Sequence, residues 1–292
     1  MRDSFGEVPS MARVGVVIPC FNLGSYVLEA VQSVHDQTFR DWELLIVDDG
    51  STEAQTIQIL DRLAEEKRCA LLRTENRGVA HARNAGIARV DCPFLLCLDA
   101  DDCLQPSYLE KTLPLFSSDA SPRVGFVTTY AQFFGQSQGL WPCSDFSPLR
   151  LLVENLIHVA SVFSRELWTD VGGFSPDLTG YHDWDFWLGA VTRGWAWRRV
   201  PEPLFHYRDR EGSMLKGSER KRLALRRQIA ERHQDFFQQH VVDLVVEYEK
   251  LLRRRESEAA QEAAKVAREA LKRVAILEEE LAVLRNAQAR KD

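Results

Sequence analysis

Residues 93–102 read PFLLCLDADD, an apolar run from Pro93 to Leu98 that ends on Asp99-Ala100-Asp101-Asp102. A short apolar segment opened by proline and closed by acids predicts a buried strand whose end meets solvent. Its three carboxylates repel one another unless a cation lies among them. Hard oxygen donors suit Mg²⁺ or Mn²⁺, and Mg²⁺ keeps coordination sites for phosphate oxygens. The alternative is a solvated loop in which Asp101 or Asp102 caps a helix over Gln105–Phe116.

Upstream of this strand the same grammar repeats. Arg13–Pro19 (RVGVVIP) and Trp42–Val47 (WELLIV) predict buried strands, and Cys69–Arg73 a shorter one. Helices are predicted between them over Ser25–Asp36, Thr52–Glu66 and Val79–Arg89. This alternation implies an α/β domain with a mostly parallel central sheet covered on both faces. Ligands of such sheets bind beyond the carboxyl ends of the strands. Three polar strand ends converge there: Pro19-Cys20-Phe21-Asn22, Asp48-Asp49-Gly50-Ser51 and Asp99–Asp102. An aspartate at position 48 or 49 can accept hydrogen bonds from a base or a ribose, or the segment is simply a helix start capped by Ser51 or Thr52.

Downstream, Val124–Tyr130, Val159–Phe163, Ala196–Val200 and Leu204–Arg208 are predicted strands, and Gly135–Ser147 a loop. His182–Thr192 is predicted to be a helix. Asp183 is a candidate general base whose aromatic neighbours would raise its pKa, or alternatively a helix cap. Trp184, Trp187, Leu188 and Val191 are spaced as a core face. From Ser218 onward the chain has no glycine or proline and is helical by composition. Ala260, Ala263, Ala267, Ala270, Val274, Leu277, Leu281 and Leu284 recur in steps of three and four, as a coiled-coil seam does. The expected layout is a catalytic domain over 1–217, with a nucleotide-binding half over about 13–105 and an acceptor-side half over 106–217. A helical extension over 218–292 follows, with a coiled coil at about 256–290 that joins copies of the chain.

Composition narrows the function. The formal net charge of −6 argues against a nucleic-acid partner. The charge is uneven: residues 219–292 carry 17 basic and 14 acidic side chains, so the remainder carries a net −9. The six cysteines form no Cys-x-x-Cys pair, as expected of reduced core thiols. No apolar run reaches the ~20 residues of a membrane span, and the N-terminus lacks a signal-peptide core. A cytoplasmic location is expected. The basic run Lys216–Arg227 could lie on anionic lipid at the cytoplasmic membrane face, or form a solvated helix face. The sequence contains no Gly-x-Gly-x-x-Gly, Walker-type loop or Gly-x-Ser-x-Gly elbow.

Taken together, Val16–Asn22, Val47–Ser51, Asn76-Arg77-Gly78 with Ala82-Arg83-Asn84, Leu98–Asp102, Gly172-Gly173-Phe174 and His182–Asp185 resemble glycosyltransferase family 2, from about Val14 to Met214. The resemblance implies a GT-A fold and an inverting, non-processive transfer of one sugar. The donor would be a UDP-, GDP- or dTDP-sugar, and the acceptor hydroxyl would lie on a surface glycan or lipid-linked glycan. It implies a nucleotide site of Pro19, Phe21, Asn22, Asp48, Asp49, Arg83, Asp99 and Ala100, with Asp183 as base. It also implies Mn²⁺ or Mg²⁺ on Asp101 and Asp99, and a donor and acceptor pocket that includes Gly173, His182, Trp184, Asp185 and Arg210. The sequence departs from the family twice. His182 stands where Glu is frequent, and Arg210 where many members have a metal-side histidine. Either His206 takes over that role, or Arg210 pairs with the diphosphate. Two rival readings are a sugar nucleotidyltransferase and a non-catalytic assembly protein built on the coiled coil. The first lacks its Gly-rich loop, and the aspartates argue against the second.

Overall fold

The computed structural model describes residues 13–116, 123–141, 147–213 and 221–288, with side chains given as far as 273 apart from that of 270. Val14–Cys20 forms β1, buried along its whole length. Its Val- and Ile-rich sequence suits a strand covered on both faces. Helix α1 (Gly24–His35), β2 (Trp42–Asp48), α2 (Ala54–Glu65), β3 (Ala70–Arg73), α3 (Val79–Arg89) and β4 (Phe94–Cys97) follow. Each agrees with the expected element to within about two residues. Strand order β3-β2-β1-β4 is parallel throughout. The chain therefore winds outward from β1 to β3 and then returns to the other side of β1. The gap between β1 and β4 is the switch point at which open α/β sheets hold ligands. Helix α3 packs closely over β1 and β2: a Cβ on Gly86 would collide with Val17 and Val47.

The second half reverses part of the sheet. Short β5 (Cys103–Leu104), α4 (Tyr108–Thr112) and a 3₁₀ turn at Leu113–Phe116 replace the single helix expected over Gln105–Phe116. Pro106 and Pro114 interrupt it, each lacking an N–H. Strand β6 (Val124–Gly135) outruns its expected end at Tyr130. Then come β7 (Gly139–Leu140), α5 (Pro148–Leu151), β8 (Val162–Ser164), α6 (Arg165–Val171), α7 (His182–Thr192) and β9 (Ala196–Asp209). The two strands expected over 196–208 are thus one. Its register against β6 slips where Val200 and Pro203 face Thr129 and Tyr130, since Pro201 and Pro203 cannot donate ladder bonds. Strands β1 to β4, β6 and β9 run one way; β5, β7 and β8 run the other. The sheet is mixed but mostly parallel, an α/β architecture followed by helices.

Those helices are α8 (Arg222–Arg232), α9 (Gln234–Gln239) and α10 (Val241–Gln288). The chain divides into compact units at Gln239/His240, whereas the sequence suggested a division at 217/218. The reason is packing: Leu225 and Ile229 of α8 are buried, and Arg226 donates to the Val153 carbonyl and lies over Trp184. Arg226 of the basic run thus turns inward, and Arg227 pairs with Glu231. Lys216 and Arg220 lie outside the described residues. Helix α10 is continuous for 48 residues, or ~72 Å at ~1.5 Å per residue. Val266 and Leu271 on it are exposed, while the side chains of the seam from Val274 onward lie outside the described set. No helix among the described residues is long and apolar enough to cross a membrane. The described cysteines are unpaired, and Cys20, Cys92 and Cys97 are buried.

Candidate functional site

A cavity of about 560 Å³ opens at the switch point. Its walls come from the turn after β1 (Pro19–Leu23), Asp49 after β2, and Asp99–Asp101 after β4. Asn76, Gly78, Val79 and Ala82 at the start of α3, Tyr207 near the end of β9, and Arg210, Gly212 and Ser213 after it complete them. The converging strand ends anticipated from the sequence therefore meet in one space.

Local chemistry explains how each wall is held. Asn22 adopts φ +54, a left-handed conformation that asparagine tolerates. Its Oδ1 accepts the Thr52 and Glu53 N–H groups at 2.8 and 3.0 Å. Asn22 thus holds the segment that leads into α2, whose N-cap is Glu53 rather than Ser51 or Thr52. Asp48 accepts the Ser51 N–H at 2.9 Å and faces Arg73, outside the cavity wall. Asp49 accepts the Arg77 and Gly78 N–H groups at 3.1 and 2.8 Å, drawing the α3 loop against the strand ends. Phe21 lines the cavity and is 43% exposed, an aromatic side chain with uncovered surface.

The aspartate turn is built from two ion pairs and one internal anchor. Arg83, buried on α3, binds the Asp99 carboxylate at 2.5 Å, and its guanidinium lies over Phe174. Arg210 Nε donates to Asp101 Oδ2 at 2.6 Å. Asp102 does not cap a helix: it is buried and accepts the Arg208 N–H at 2.8 Å, fastening β9 to the end of β4. Burial, reinforced by the neighbouring aspartates, raises the pKa of Asp102 well above the usual carboxylate range, and burial also raises that of Asp101.

The acceptor-side residues take two different roles. Tyr181, at φ +54, turns the chain so that Asp183 points inward at the first turn of α7. Asp183 accepts from Asn155 Nδ2 and from the Trp184 N–H, both at 2.9 Å. Burial raises its pKa against the opposing pull of Asn155 and Arg83. His182 is buried, with Nε2 2.9 Å from the Leu178 carbonyl, and burial beside Arg83 lowers its pKa to about 4. It is therefore neutral near Asp183. Trp184, however, is core: its Nε1 donates to the Leu151 carbonyl. Asp185 points away toward a separate 350 Å³ cavity that also contains Gly173, Arg232 and His233. Burial would raise the pKa of Asp185, but hydrogen bonds from His233 and Ser175 and the charge of Arg232 leave it lowered. Gly173, at φ +82, leaves no room for a Cβ beside Asn84 Oδ1. Trp184, Asp185 and Gly173 thus support the pocket from behind.

Sequence reasoning passed over Asn84 and Asn155. Asn84 exchanges two bonds with Phe174, at 2.7 and 2.9 Å, locking the Gly-Gly-Phe turn to α3. It lies inside a quoted motif and could have been singled out. Nothing in the local sequence marks Asn155 as the partner of Asp183.

The donor set does not fit the divalent cation expected from the sequence. Both candidate carboxylates already carry a guanidinium. His206, the suggested substitute ligand, accepts from Gln105 Nε2 at 2.7 Å and lies outside the cavity wall. Alternation along β9 turns Tyr207 to the cavity and His206 away. Among the described residues no three His, Cys, Asp or Glu side chains form a metal-binding group.

Residues 15–163 match the sequence profile of glycosyl transferase family 2. Chondroitin synthase of Escherichia coli is 29% identical over 182 residues, 60% of this chain and 26% of that protein. The chain thus spans about a quarter of that relative. S. aureus TarS 1–349 in complex with UDP-GlcNAc superposes with a TM-score of 0.59 at 19% identity, covering 70% of this chain and 60% of that one. Mannosyltransferase PcManGT from Pyrobaculum calidifontis, in complex with GDP-Man and Mn²⁺, gives 0.59 at 22%, covering 77% and 65%. The sheet, its switch-point cavity and this profile over half of the sequence make the chain a member of glycosyl transferase family 2 with a GT-A fold.

Proposed function

We propose that this chain transfers a single sugar, with inversion, from a nucleoside-diphosphate sugar to an acceptor hydroxyl. The observation that carries the reading is the switch-point cavity, which brings Phe21 together with Asp99, backed by the buried Arg83, and with the Arg210–Asp101 pair. A base stacks on Phe21 and contacts the Asp49 loop. The diphosphate extends toward the arginines. The UDP-GlcNAc and GDP-Man of the two structural neighbours support a nucleotide-sugar donor. The chondroitin synthase relative supports a glycan as acceptor.

Asp183 is the base. It takes the proton of the acceptor hydroxyl as that oxygen attacks the anomeric carbon from the face opposite the diphosphate. The bond from the anomeric carbon to the diphosphate oxygen breaks with its electron pair, which the facing guanidinium groups stabilise. Asn155 orients the carboxylate. The long α10 joins copies of the chain through its seam. The test is a screen of UDP-, GDP- and dTDP-sugars, read by nucleoside-diphosphate release and product mass, with Mn²⁺, Mg²⁺ or EDTA. Lack of turnover and of nucleotide binding across the whole set would sink the reading.

A further inference from the structure

We infer that Arg210 takes the place of a divalent cation: it neutralises Asp101 and binds the donor diphosphate directly, so nucleotide binding needs no metal. The inference rests on the nucleotide-sugar reading above and deepens it.

Four observations carry it. First, the guanidinium already occupies the coordination space, with Nε at 2.6 Å from Asp101 Oδ2. A Mg²⁺ ion bonds carboxylate oxygen at about 2.1 Å. A metal on the same oxygen would be repelled by the guanidinium, which leaves only the second oxygen of Asp101 for a cation, beside a positive charge already in place.

Second, Arg210 is placed rather than merely nearby. Arg208 donates its N–H to Asp102 Oδ1 at 2.8 Å and its Nε to the Asp101 carbonyl at 2.7 Å. These bonds pin the end of β9 to the aspartate turn two residues before Arg210. The Arg210 guanidinium then lies 5.5 Å over the Tyr26 ring. The side chains of Arg210 and Asp101 are only 22% and 14% exposed.

Third, both carboxylates of the aspartate turn that line the cavity are matched by a guanidinium, while Asp49 is held by backbone N–H groups. Asp99 is matched by Arg83 and Asp101 by Arg210. A pyrophosphate approaching a bare Asp101 would be repelled. Approaching a guanidinium in the cavity wall, it meets a planar donor fork suited to two phosphate oxygens. Fourth, His206, which could have completed a metal shell, is bonded to Gln105.

The experiment measures binding of UDP, GDP and dTDP by calorimetry to the full chain, in EDTA and again with MnCl₂. It is run on wild type, Arg210→Ala and the near-isosteric Arg210→Gln, with folding checked by thermal melting. The expected result is that at least one diphosphate binds wild type in EDTA with a Kd within about threefold of that in Mn²⁺. In EDTA both variants should bind it about 10- to 100-fold more weakly, the loss of one charge-assisted contact to phosphate. The parent nucleoside should bind all three proteins alike. Wild-type binding that appears only with Mn²⁺ would overturn the inference and leave the nucleotide-sugar reading intact. So would variants that bind the diphosphate as wild type does in EDTA. No diphosphate binding under either condition would overturn both.

Discussion

Replacing Asp183 with Asn removes the proposed proton acceptor at almost constant shape. General-base catalysis is worth about 10²- to 10⁴-fold, or roughly 2.7–5.4 kcal/mol at about 1.36 kcal/mol per decade. Asp183 now accepts from two donors, Asn155 Nδ2 and the Trp184 N–H. The amide of the variant has one oxygen for both, so one donor loses its partner at about 1–3 kcal/mol. Against that, the variant no longer buries a carboxylate, whose desolvation is the main cause of the raised pKa. Fold stability should therefore change little while turnover falls by two to four decades.

The sign of the pH effect follows from the same shift. The working base is the ionised form, so wild-type kcat should climb with pH, with a midpoint above the ~3.9 of a free aspartate. That limb should vanish in the variant. For stability, a carboxyl raised above its unfolded value favours the folded state fully below ~3.9 and loses that contribution as pH rises through the folded pKa. The melting difference should thus move in favour of Asp183→Asn as pH rises from about 4 through the raised pKa of Asp183. Steady-state rates with the donor found in the screen, paired with calorimetric nucleotide binding, decide the matter. A variant retaining more than about a tenth of wild-type kcat, or the same acid limb, would refute Asp183 as the base.

Three further outcomes are expected. Asn155→Ala removes a donor that lowers the Asp183 pKa, so the acid limb of the pH–rate profile should shift upward and turnover recover in alkaline buffer; an unmoved profile would count against the pair. Arg83→Ala should cost about 2–3 kcal/mol in chemical denaturation, below the range for a fully buried pair, because Asp99 is 31% exposed. The same variant should weaken nucleotide-sugar binding, and unchanged affinity would remove Arg83 from the site. Truncation after Lys250 should convert a dimer or trimer to monomer in light scattering, and an unchanged mass would refute the coiled-coil assembly.

The loop chemistry shows why a single motif carries little by itself. Asp48, Asp49, Asp99, Asp101 and Asp102 look alike in the sequence, five acids at two strand ends. In the structure Asp49 knits the α3 loop, Asp102 fastens β9, Asp99 pairs with the buried Arg83, and Asp101 holds Arg210 at the cavity wall. Asp48 serves its own turn. Each role depends on which donor arrives from elsewhere, and those donors are 16 to 109 positions away for Arg83–Asp99 and Arg210–Asp101.

The parallel half of the sheet was legible because its strands are buried on both faces, which demands continuous Val, Ile and Leu runs such as VGVVIPC and WELLIVD. That the polar strand ends share one edge of the sheet follows from the alternation; the strand order, and with it the switch point, came only from the structure. The candidate base, Asp183, was marked by its place at the start of a helix. Local sequence could not say that 196–209 is one strand, since Pro201 and Pro203 imitate a break that the pairing with β6 absorbs as a register slip. Nor could it phase His206 against Tyr207, because alternation beyond an irregularity is set by the partner strand. The attachment of α8 to the globular unit, and the turning of Asp185 toward Arg232 and His233, likewise rest on contacts across 47 and 48 positions. For the opening stretch, residues 93–102, the sequence alone determined that a buried strand ends in clustered carboxylates. Only the tertiary structure decided what answers their charge: guanidinium groups from α3 and from the end of β9, brought there by packing that no local spacing records.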